Sequence, residues 1–371
     1  MQHPIHVFTD ISHYQAEDRR YLSPIVRAHW NDKSPSERVE IYPARYTHFS
    51  FVDSIADADI CILPMMWNYY AEFNKVDLAA KFVEVAHSAK RPVAVWTSGD
   101  FSLNVPFENV IKFEASLYSS RRKIGDFALP VMFRDYAALY FSDKIDVRPK
   151  QEKPVVGFCG HAKTNPLRLT WWGVRNLRDT LAYKLHSYKP YHYPLPLVPS
   201  VILRSKVLNR LAHSPQIETN FILRKRYRAG VTDQERSNAF HASRIEFVNN
   251  IYHSDYTVCI RGSGNFSQRF YETMCLGRIP IFVNTDSVLP YDFILDWKKH
   301  SIWVEQHEIK HIADIVADFH SRLSPDDFIE LQRQSRQIWL DYLSQYGFHS
   351  QLYRHFDYFN EKVMEQNHVL K

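Results

Sequence analysis

The sequence has few cysteines and no long apolar run, and each shortage excludes a class of protein. Its four cysteines are Cys61, Cys159, Cys259 and Cys275, and none forms a Cys-x-x-Cys pair. Three of them lie inside apolar, strand-like stretches, which predicts buried thiols rather than a disulfide framework or a zinc site. Since no stretch of roughly 18 apolar residues occurs, the sequence predicts no transmembrane helix.

A leader peptide and a strongly charged tail are also missing. The first predicted strand, Ile5–Phe8, begins almost at the N-terminus, and no signal peptide precedes it. We therefore expect a cytoplasmic protein, with peripheral contact at the inner membrane face left open. The net charge of +5 is compatible with an anionic nucleotide, an anionic glycan or a membrane surface. No long run of like charges argues for nucleic acid.

The 371 residues are enough for two cores, and strand-like and helix-like segments alternate along them. Alternation of this kind predicts an α/β protein with parallel sheets. Residues 144–154 are polar, charged and bracketed by two prolines, which is typical of a linker. We place the domains at residues 1–150 and 151–345, with a C-terminal helix in residues 346–371.

The most informative stretch predicts a strand, a glycine loop, a helix and a second strand. An apolar run, Tyr256–Ile260, is followed by the loop Arg261–Phe266. A short helix comes next, which Ser267 is placed to cap and Gly277 to end. The second apolar run is Ile279–Val283. This order is half of a nucleotide-binding unit.

Side chains in this stretch suit a nucleotide diphosphate. Its glycines let the backbone approach a phosphate, and the N–H groups at a helix start attract the charge. Glu272, one turn into the helix, can accept two hydroxyl hydrogen bonds from a ribose. Arg269 and Glu272 are three apart, however, and would also suit a surface ion pair. The predicted donor-binding residues are Arg224, Arg261, Ser263, Gly264, Asn265, Ser267, Arg269 and Glu272. For Arg224, in the basic cluster 224–228, a solvated loop is an equal alternative.

The same stretch resembles a known family. Arg261-Gly-Ser-Gly-Asn-Phe-Ser, with Arg-Phe-Tyr-Glu-Thr and Gly-Arg-Ile-Pro after it, is similar to the signature of exostosin-like glycosyltransferases in their bacterial form. Weaker similarities lie at Asp59-Ile-Cys-Ile-Leu-Pro64, Thr97-Ser-Gly-Asp100 and Val156-Gly-Phe-Cys-Gly160. The resemblance implies a GT-B fold, in which two Rossmann-like domains face a cleft. The second domain would hold the donor, and the C-terminal helix, here Gln351–Glu365, would cross back to the first domain.

The resemblance also implies inverting transfer from a nucleotide-sugar donor, a UDP-sugar being favoured, to a glycan or lipid-linked glycan acceptor. The nucleotide-sugar would be a co-substrate, with no other cofactor. One Asp-x-Asp exists, Asp57-Ala-Asp59, but it precedes its strand, whereas sites lie at the carboxyl ends of strands. We therefore expect no divalent metal, because arginines and a helix start can neutralise the leaving diphosphate.

Inverting transfer needs a general base on the face opposite the leaving group. Asp100 follows an apolar strand through a Ser-Gly turn, which would project its carboxylate into the cleft. We predict Asp100 as the base, with Asp10, His13 and Glu72 as open alternatives at other strand ends. Each of the four would also suit an ordinary turn cap.

The aromatic residues Trp67, Tyr69 and Tyr70 follow a predicted buried strand. They are candidates for stacking on the acceptor, with core packing equally compatible. A non-catalytic nucleotide-sugar or glycan-binding protein of the same fold is the main alternative function. The several candidate bases argue against it. A dehydrogenase is disfavoured because no Gly-x-Gly-x-x-Gly follows the first strand.

Overall fold

The strands of this protein form two separate sheets, and every strand pairing in both is parallel. The computed structural model describes residues 3–29, 48–162, 166–224 and 242–369. The strands in these ranges are β1 Ile5–Phe8, β2 Phe49–Phe51, β3 Ile60–Ile62, β4 Val93–Trp96, β5 Val110–Glu114, β6 Asp126–Ala128, β7 Val155–His161, β8 Glu218–Arg224, β9 Tyr256–Cys259, β10 Ile279–Asn284 and β11 Ile302–Glu305. The prediction of an α/β protein with parallel sheets is confirmed.

The order of strands positions a crevice in each sheet. The first sheet runs β2-β1-β3-β4-β5-β6 and the second runs β11-β10-β9-β7-β8. In the second sheet, β8 lies on one side of β7, and β9, β10 and β11 lie on the other. The loops that follow β7 and β9 therefore lead away from each other and leave a crevice between them. Ligands of open α/β sheets bind at such a switch point, outside the carboxyl ends of the strands.

Helices cover both sheets. In the described residues they are α1 Pro24–His29, α2 Trp67–Glu72, α3 Val76–Ser88, α4 Tyr136–Tyr140, α5 Pro166–Lys184, α6 Ser200–Ala212, α7 Ala242–Tyr252, α8 Gln268–Cys275, α9 Ile312–Arg322, α10 Pro325–Ile338, α11 Gln345–Arg354 and α12 Phe356–Val369. The start of α10 follows from its sequence, because Ser324 and Asp327 form a reciprocal capping box around Pro325 at the first helical position. No described helix has the length and apolar character that a membrane crossing requires.

The C-terminal helices pack on the first sheet. Phe348 of α11 and Phe359 of α12 are both 1% exposed and lie in the first-sheet core. The rings of Phe359 and Phe127, which lies in β6, are 4.6 Å apart between centroids. The GT-B arrangement, two parallel-sheet units with a C-terminal segment crossing back, is therefore confirmed. The single predicted helix Gln351–Glu365 is wrong in detail, since two helices meet at His355.

Short elements account for most of the differences from the sequence prediction. β2 and β6 are three residues each, too short for a periodicity to appear. The linker segment 144–154 holds no strand or helix, but Arg148 in it bonds Asp255 at 2.7 Å. That contact fixes the segment against the second sheet. The domain limits at residues 150 and 345 stay predictions.

Candidate functional site: the loop between the two sheets

The predicted strand–loop–helix–strand unit forms as expected. β9 and β10 are parallel neighbours, and α8 connects them. Gly277 has φ +61°, a left-handed conformation that ends the helix, as predicted. Ser267 occupies the N-cap position, but its hydroxyl makes no capping hydrogen bond, so the predicted cap is wrong. Because β9 borders the switch point of its sheet, the loop before α8 lies at the crevice.

Asp100 of the first sheet contacts this loop. It follows β4 through Gly99, whose φ of +88° makes the predicted tight turn. Asn68 holds the turn, since its amide donates to the Ser98 carbonyl at 2.9 Å and accepts from the Ser98 N–H at 2.7 Å. The Gly264 N–H and the Ser263 hydroxyl face the Asp100 carboxylate and, as hydrogen-bond donors, lower its pKa. A carboxylate from one sheet is thus bound by the loop of the other.

The proton affinity of Asp100 reflects this position. Partial burial raises the pKa of its carboxyl group above the ordinary aspartate value, and the two hydrogen bonds from the loop offset only part of that rise. Asp100 therefore holds a proton more readily than an aspartate in water does. A carboxylate of raised pKa is better suited to accept a proton near neutral pH.

Asn265 fastens the loop to the first sheet. Its side-chain amide donates to the carbonyls of Leu117 at 3.2 Å and Asp286 at 2.9 Å. Its backbone N–H donates to the Ser116 hydroxyl at 2.8 Å. Asn265 is 1% exposed, so these bonds account for its place in the loop. Its role in donor binding stays a prediction.

Gly264 is required by a close approach of backbone. A Cβ atom there would lie 2.6 Å from the Asp100 carbonyl oxygen, whereas a Cβ on Gly262 would meet nothing within 4 Å. The backbone that approaches Gly264 in the structure is thus that of Asp100, where a phosphate was expected. Any larger residue would push the two loops apart.

The two arginines of the loop region are enclosed by backbone. Arg261 is 4% exposed and donates to the carbonyls of Val198 and Gly262. Arg269 donates to the Cys159 carbonyl at 2.7 Å, and its guanidinium carbon lies 4.3 Å from the centroid of the Phe158 ring. Burial lowers the pKa of both guanidinium groups, which remain cationic. They place two positive charges behind the loop.

Glu272 is buried rather than paired on the surface. It is 3% exposed, and its Oε1 accepts from the Tyr136 hydroxyl and the Gln268 amide, both at 2.9 Å. Arg244 approaches the same oxygen at 3.5 Å. The alternative of a surface ion pair with Arg269 is wrong. No described residue donates to Oε2, which leaves one carboxylate oxygen for a ligand hydroxyl.

Arg224 lies at the end of β8 and is engaged by α7. Its guanidinium donates to the Ser243 carbonyl at 2.8 Å and to Glu246 at 2.5 Å. The other basic residues of the predicted cluster 224–228 lie outside the described residues. Arg224 lies next to the carboxyl end of the sheet, and its donor contact stays a prediction.

The alternative bases have local partners. Asp10 caps the turn that follows it, accepting a backbone N–H at 2.9 Å. His13 is 4% exposed and its ring bonds a tyrosine hydroxyl at 2.8 Å, while Glu72 accepts from another tyrosine hydroxyl at 3.0 Å. Asp100 differs because its partners come from the second sheet. The structure therefore favours Asp100 over the other three on position.

The aromatic residues expected to stack on the acceptor lie in the core. Trp67, Tyr69 and Tyr70 of α2 are each 0% exposed and pack against the first sheet. The stacking prediction is wrong, because α2 turns these rings into the core of the first sheet. The motif Asp57-Ala-Asp59 precedes β3, as predicted, and Asp59 accepts from the His6 N–H at 2.7 Å.

Several partners of the site residues carried no signal in the sequence. Tyr136 and Arg244 bond Glu272, and Asn68 and Ser116 position the Asp100 turn and the loop. They are ordinary polar residues, tens to hundreds of positions from the residues they contact. Their roles follow from the fold, and no spacing rule would find them.

Comparison with known proteins finds a similarity within the second half of the chain. Residues 202–319, which contain the loop and α8, match the family model of the Exostosin GT47 domain. Exostosin-1 of Drosophila melanogaster is 26% identical over 99 residues, which are 27% of this chain. The matched part is 12% of that relative's length. These matches confirm the resemblance to exostosin-like glycosyltransferases.

Among solved structures, a glycosyltransferase from Rickettsia africae aligns with the whole chain. The alignment covers 98% of this chain and 99% of the other, with 10% sequence identity and a TM-score of 0.38.

Proposed function

We propose that this protein is an inverting glycosyltransferase that needs no divalent metal. It moves a sugar from a nucleotide-sugar, a UDP-sugar being favoured, to a hydroxyl of a glycan or glycolipid acceptor. The observation that carries the proposal is the contact of Asp100 with Ser263 and Gly264, in which a carboxylate meets the exostosin-domain loop. A base candidate and an anion-binding loop thus face each other from the two sheets.

The loop is suited to bind a diphosphate. Its Gly264 N–H and Ser263 hydroxyl already hold one anionic group, the Asp100 carboxylate. The enclosed charges of Arg261 and Arg269 stand behind these donors. Donors fixed before the reaction stabilise the charge that develops on a leaving diphosphate, because they need little reorganisation. Donor binding would take the two hydrogen bonds from Asp100.

Release from the loop makes Asp100 a stronger base. The two hydrogen bonds lower its pKa, so their transfer to the donor raises it further. The acceptor oxygen then bonds to the anomeric carbon while the bond from that carbon to the diphosphate oxygen breaks. The hydroxyl proton passes to Asp100, and the bonding electron pair leaves with the diphosphate. Attack opposite the leaving group inverts the configuration.

Glu272 supports binding of the donor nucleoside. Its Oε1 is held by Tyr136 and Gln268, which fix the carboxylate, and its Oε2 is left for a ribose hydroxyl. Metal independence rests on a different pair of observations. The arginines supply cations at the loop, and Asp57-Ala-Asp59 lies at the opposite ends of the first-sheet strands.

We also propose a cytoplasmic location with peripheral membrane contact. One exposed surface of the protein suits such contact. Large apolar side chains lie along one face of α5 and the residue after it, each at least 50% exposed. They are Trp171, Val174, Leu177, Leu181 and Leu185. Arg175, Arg178 and Lys184 on the same helix add positive charge against one acidic residue, Asp179. A helix with tryptophan, leucine and basic residues exposed in this way suits an anionic lipid surface.

A thermal-shift screen tests the proposed function. The protein is heated with UDP-, GDP-, CMP- and dTDP-sugars, and a UDP-sugar should raise the melting temperature most. Saturation at a hundred times the dissociation constant stabilises a protein by about 2.7 kcal/mol. The product of a subsequent transfer assay should have the inverted anomeric configuration by NMR. No shift with any nucleotide-sugar, or retained configuration, would contradict the proposal.

A further inference from the structure

A cavity of about 370 Å³ lies on the first-sheet side of the loop Arg261–Phe266. It is lined by residues 102–110, by β5, by residues 117–126 and by Tyr193. Its volume is within the range of about 300–1,000 Å³ that is typical of small-molecule sites. None of the residues assigned to the donor or to proton transfer lines it. The cavity is therefore a feature that the proposed donor chemistry does not use.

A segment from the second half of the chain closes one side of this cavity. The Asn104 N–H donates to the Tyr191 carbonyl at 2.8 Å, and the Tyr193 N–H donates to the Ser102 carbonyl at 3.0 Å. These bonds fix Tyr193 over residues that follow β4. The cavity is thus formed between elements of both halves of the chain.

The floor carries buried charges that core packing does not require. Lys112, in the middle of β5, is 5% exposed. Its ammonium lies 2.8 Å from Glu114 and 3.1 Å from Asp126. Burying three charged groups costs free energy that an apolar triad would not, so their presence under a cavity marks a candidate binding site. Lys112 and Asp126 both line the cavity.

The rim offers one guanidinium, that of Arg121, to a ligand. The guanidinium of Arg121 lies 4.6 Å from the ring centroid of Tyr118 and 4.7 Å from that of Tyr193. No described residue accepts a hydrogen bond from it, and no described carboxylate pairs with it. Stacking between two rings fixes the plane of the guanidinium and leaves its N–H edge available to a ligand.

The charges around the cavity balance. The lining holds four cations and two carboxylates, namely Lys112, Arg121, Arg122, Lys123, Glu108 and Asp126. Two further carboxylates outside the lining pair with these cations, Glu114 with Lys112 and Asp292 with Arg122, so that positive and negative groups are equal in number. Balanced charge disfavours a strongly anionic ligand such as a diphosphate. A mixture of donors, acceptors and apolar surface suits a neutral ligand rich in hydroxyls, and Phe107, Ile124 and Tyr193 can cover its apolar faces.

The cavity is joined to the donor loop. Leu117 lines it, and the Leu117 carbonyl accepts the hydrogen bond from the Asn265 amide at 3.2 Å. Leu117 therefore lies between a ligand in the cavity and Asn265, in the loop that would hold the donor. We propose that this cavity binds the acceptor, a neutral saccharide, with Arg121 on its hydroxyls and Tyr193 against its ring. This inference rests on the proposed function and supplies the acceptor site that α2 does not provide.

Saturation-transfer NMR with p-nitrophenyl glycosides of neutral sugars, and one glucuronide, tests the proposal on the full chain. Two variants alter the cavity at exposed positions, so both should fold: Arg121→Ala removes the guanidinium, and Ile124→Trp fills space. Lys298→Ala is the matched control, because this exposed cation lies 5.7 Å from the Trp303 ring, outside the cavity lining. UDP binding by calorimetry is measured on all variants.

A neutral glycoside should bind the unaltered protein, and both cavity variants should weaken that binding by at least about tenfold. Lys298→Ala should leave it unchanged, and UDP affinity should be equal in every variant. Glycoside binding that survives both substitutions, preference for the glucuronide, or no glycoside binding at millimolar concentration would overturn the proposal. If the unaltered protein does not bind UDP, the donor assignment is refuted instead. Failure of the acceptor proposal and failure of the proposed function are therefore distinguishable.

Discussion

The carboxyl edges of the two sheets are built in different ways. At the second sheet, the loop and α8 form one continuous stretch, although their side chains bond to distant parts of the chain such as Val198 and Cys159. At the first sheet, the groups that meet the loop are scattered along the chain, as Asn68, Asp100 and Ser116 illustrate. A contiguous motif can be recognised in a sequence, whereas a site assembled from distant residues appears only once the chain has folded.

The largest expected effect on turnover comes from a substitution on the first-sheet side, at Asp100. Asp100→Asn keeps the shape and one acceptor oxygen for the loop, but it removes the basic carboxylate. Turnover should fall about 10²–10⁴-fold. Donor affinity, measured by calorimetry in parallel, should not fall, because the neutral amide competes less than the carboxylate for the loop donors. A variant that turns over normally would move the base to Asp10 or Glu72.

The aromatic residues of α2 separate a structural role from a binding role. Tyr70 is fully buried, so Tyr70→Ala should lower the free energy of unfolding by about 3–5 kcal/mol. The acceptor Michaelis constant should not change. Urea denaturation measures the first quantity, with Tyr346→Ala as a control because that ring is 47% exposed. A raised acceptor constant at unchanged stability would restore the stacking hypothesis.

The donor side is tested at Glu272. Glu272→Ala removes the carboxylate oxygen assigned to the ribose, and a lost charged hydrogen bond costs about 1.5–3 kcal/mol. The donor dissociation constant should therefore rise about tenfold or more in calorimetry. Tyr136→Phe is the matched control, because it removes the 2.9 Å bond to Oε1 and leaves the carboxylate in place. Equal donor affinity in Glu272→Ala and the unaltered protein would refute the assignment.

The pH dependence of transfer reports on the contact between the two sheets. Asp100 must be deprotonated to act as the base, and burial raises its pKa. The rate should therefore fall, as pH decreases, at a higher pH than an ordinary aspartate would give. Ser263→Ala removes one hydrogen-bond donor that lowers this pKa. The acidic limb of the pH profile of kcat/KM, which reports on the protein without bound donor, should therefore shift to higher pH. An unchanged limb in the profile of kcat/KM would argue that Asp100 is not the titrating group.

Prediction from the sequence succeeded where local rules decide the structure. The bounds of β1 match the predicted strand Ile5–Phe8, and Gly99 and Gly277 have the positive φ that their turns require. The donor loop was found because glycines, arginines and a glutamate are close in sequence. Burial could not be predicted for the rings of α2. Their inward direction depends on how the helix leaves β3, which is a tertiary property.

The loop also differed from expectation in a way that composition could not show. A glycine at position 264 predicts close backbone approach, but the sequence does not say to what. The structure supplies the partner, the Asp100 carbonyl oxygen. Likewise, Asn265 is a plausible ligand residue by type, yet its amide is spent on Leu117 and Asp286. Long-range partners of this kind are fixed by the packing of the two sheets.

The smallest expected effect concerns divalent metals. If Arg261, Arg269 and the loop N–H groups neutralise the diphosphate, exhaustive EDTA treatment should leave the transfer rate unchanged. Asp57→Asn and Asp59→Asn provide a matched check, because they alter the one Asp-x-Asp motif at the far ends of the first-sheet strands. Neither should affect turnover. Activity that EDTA abolishes and Mn²⁺ or Mg²⁺ restores would contradict the proposal, and a metal would then have to replace the arginines as the main source of positive charge at the loop.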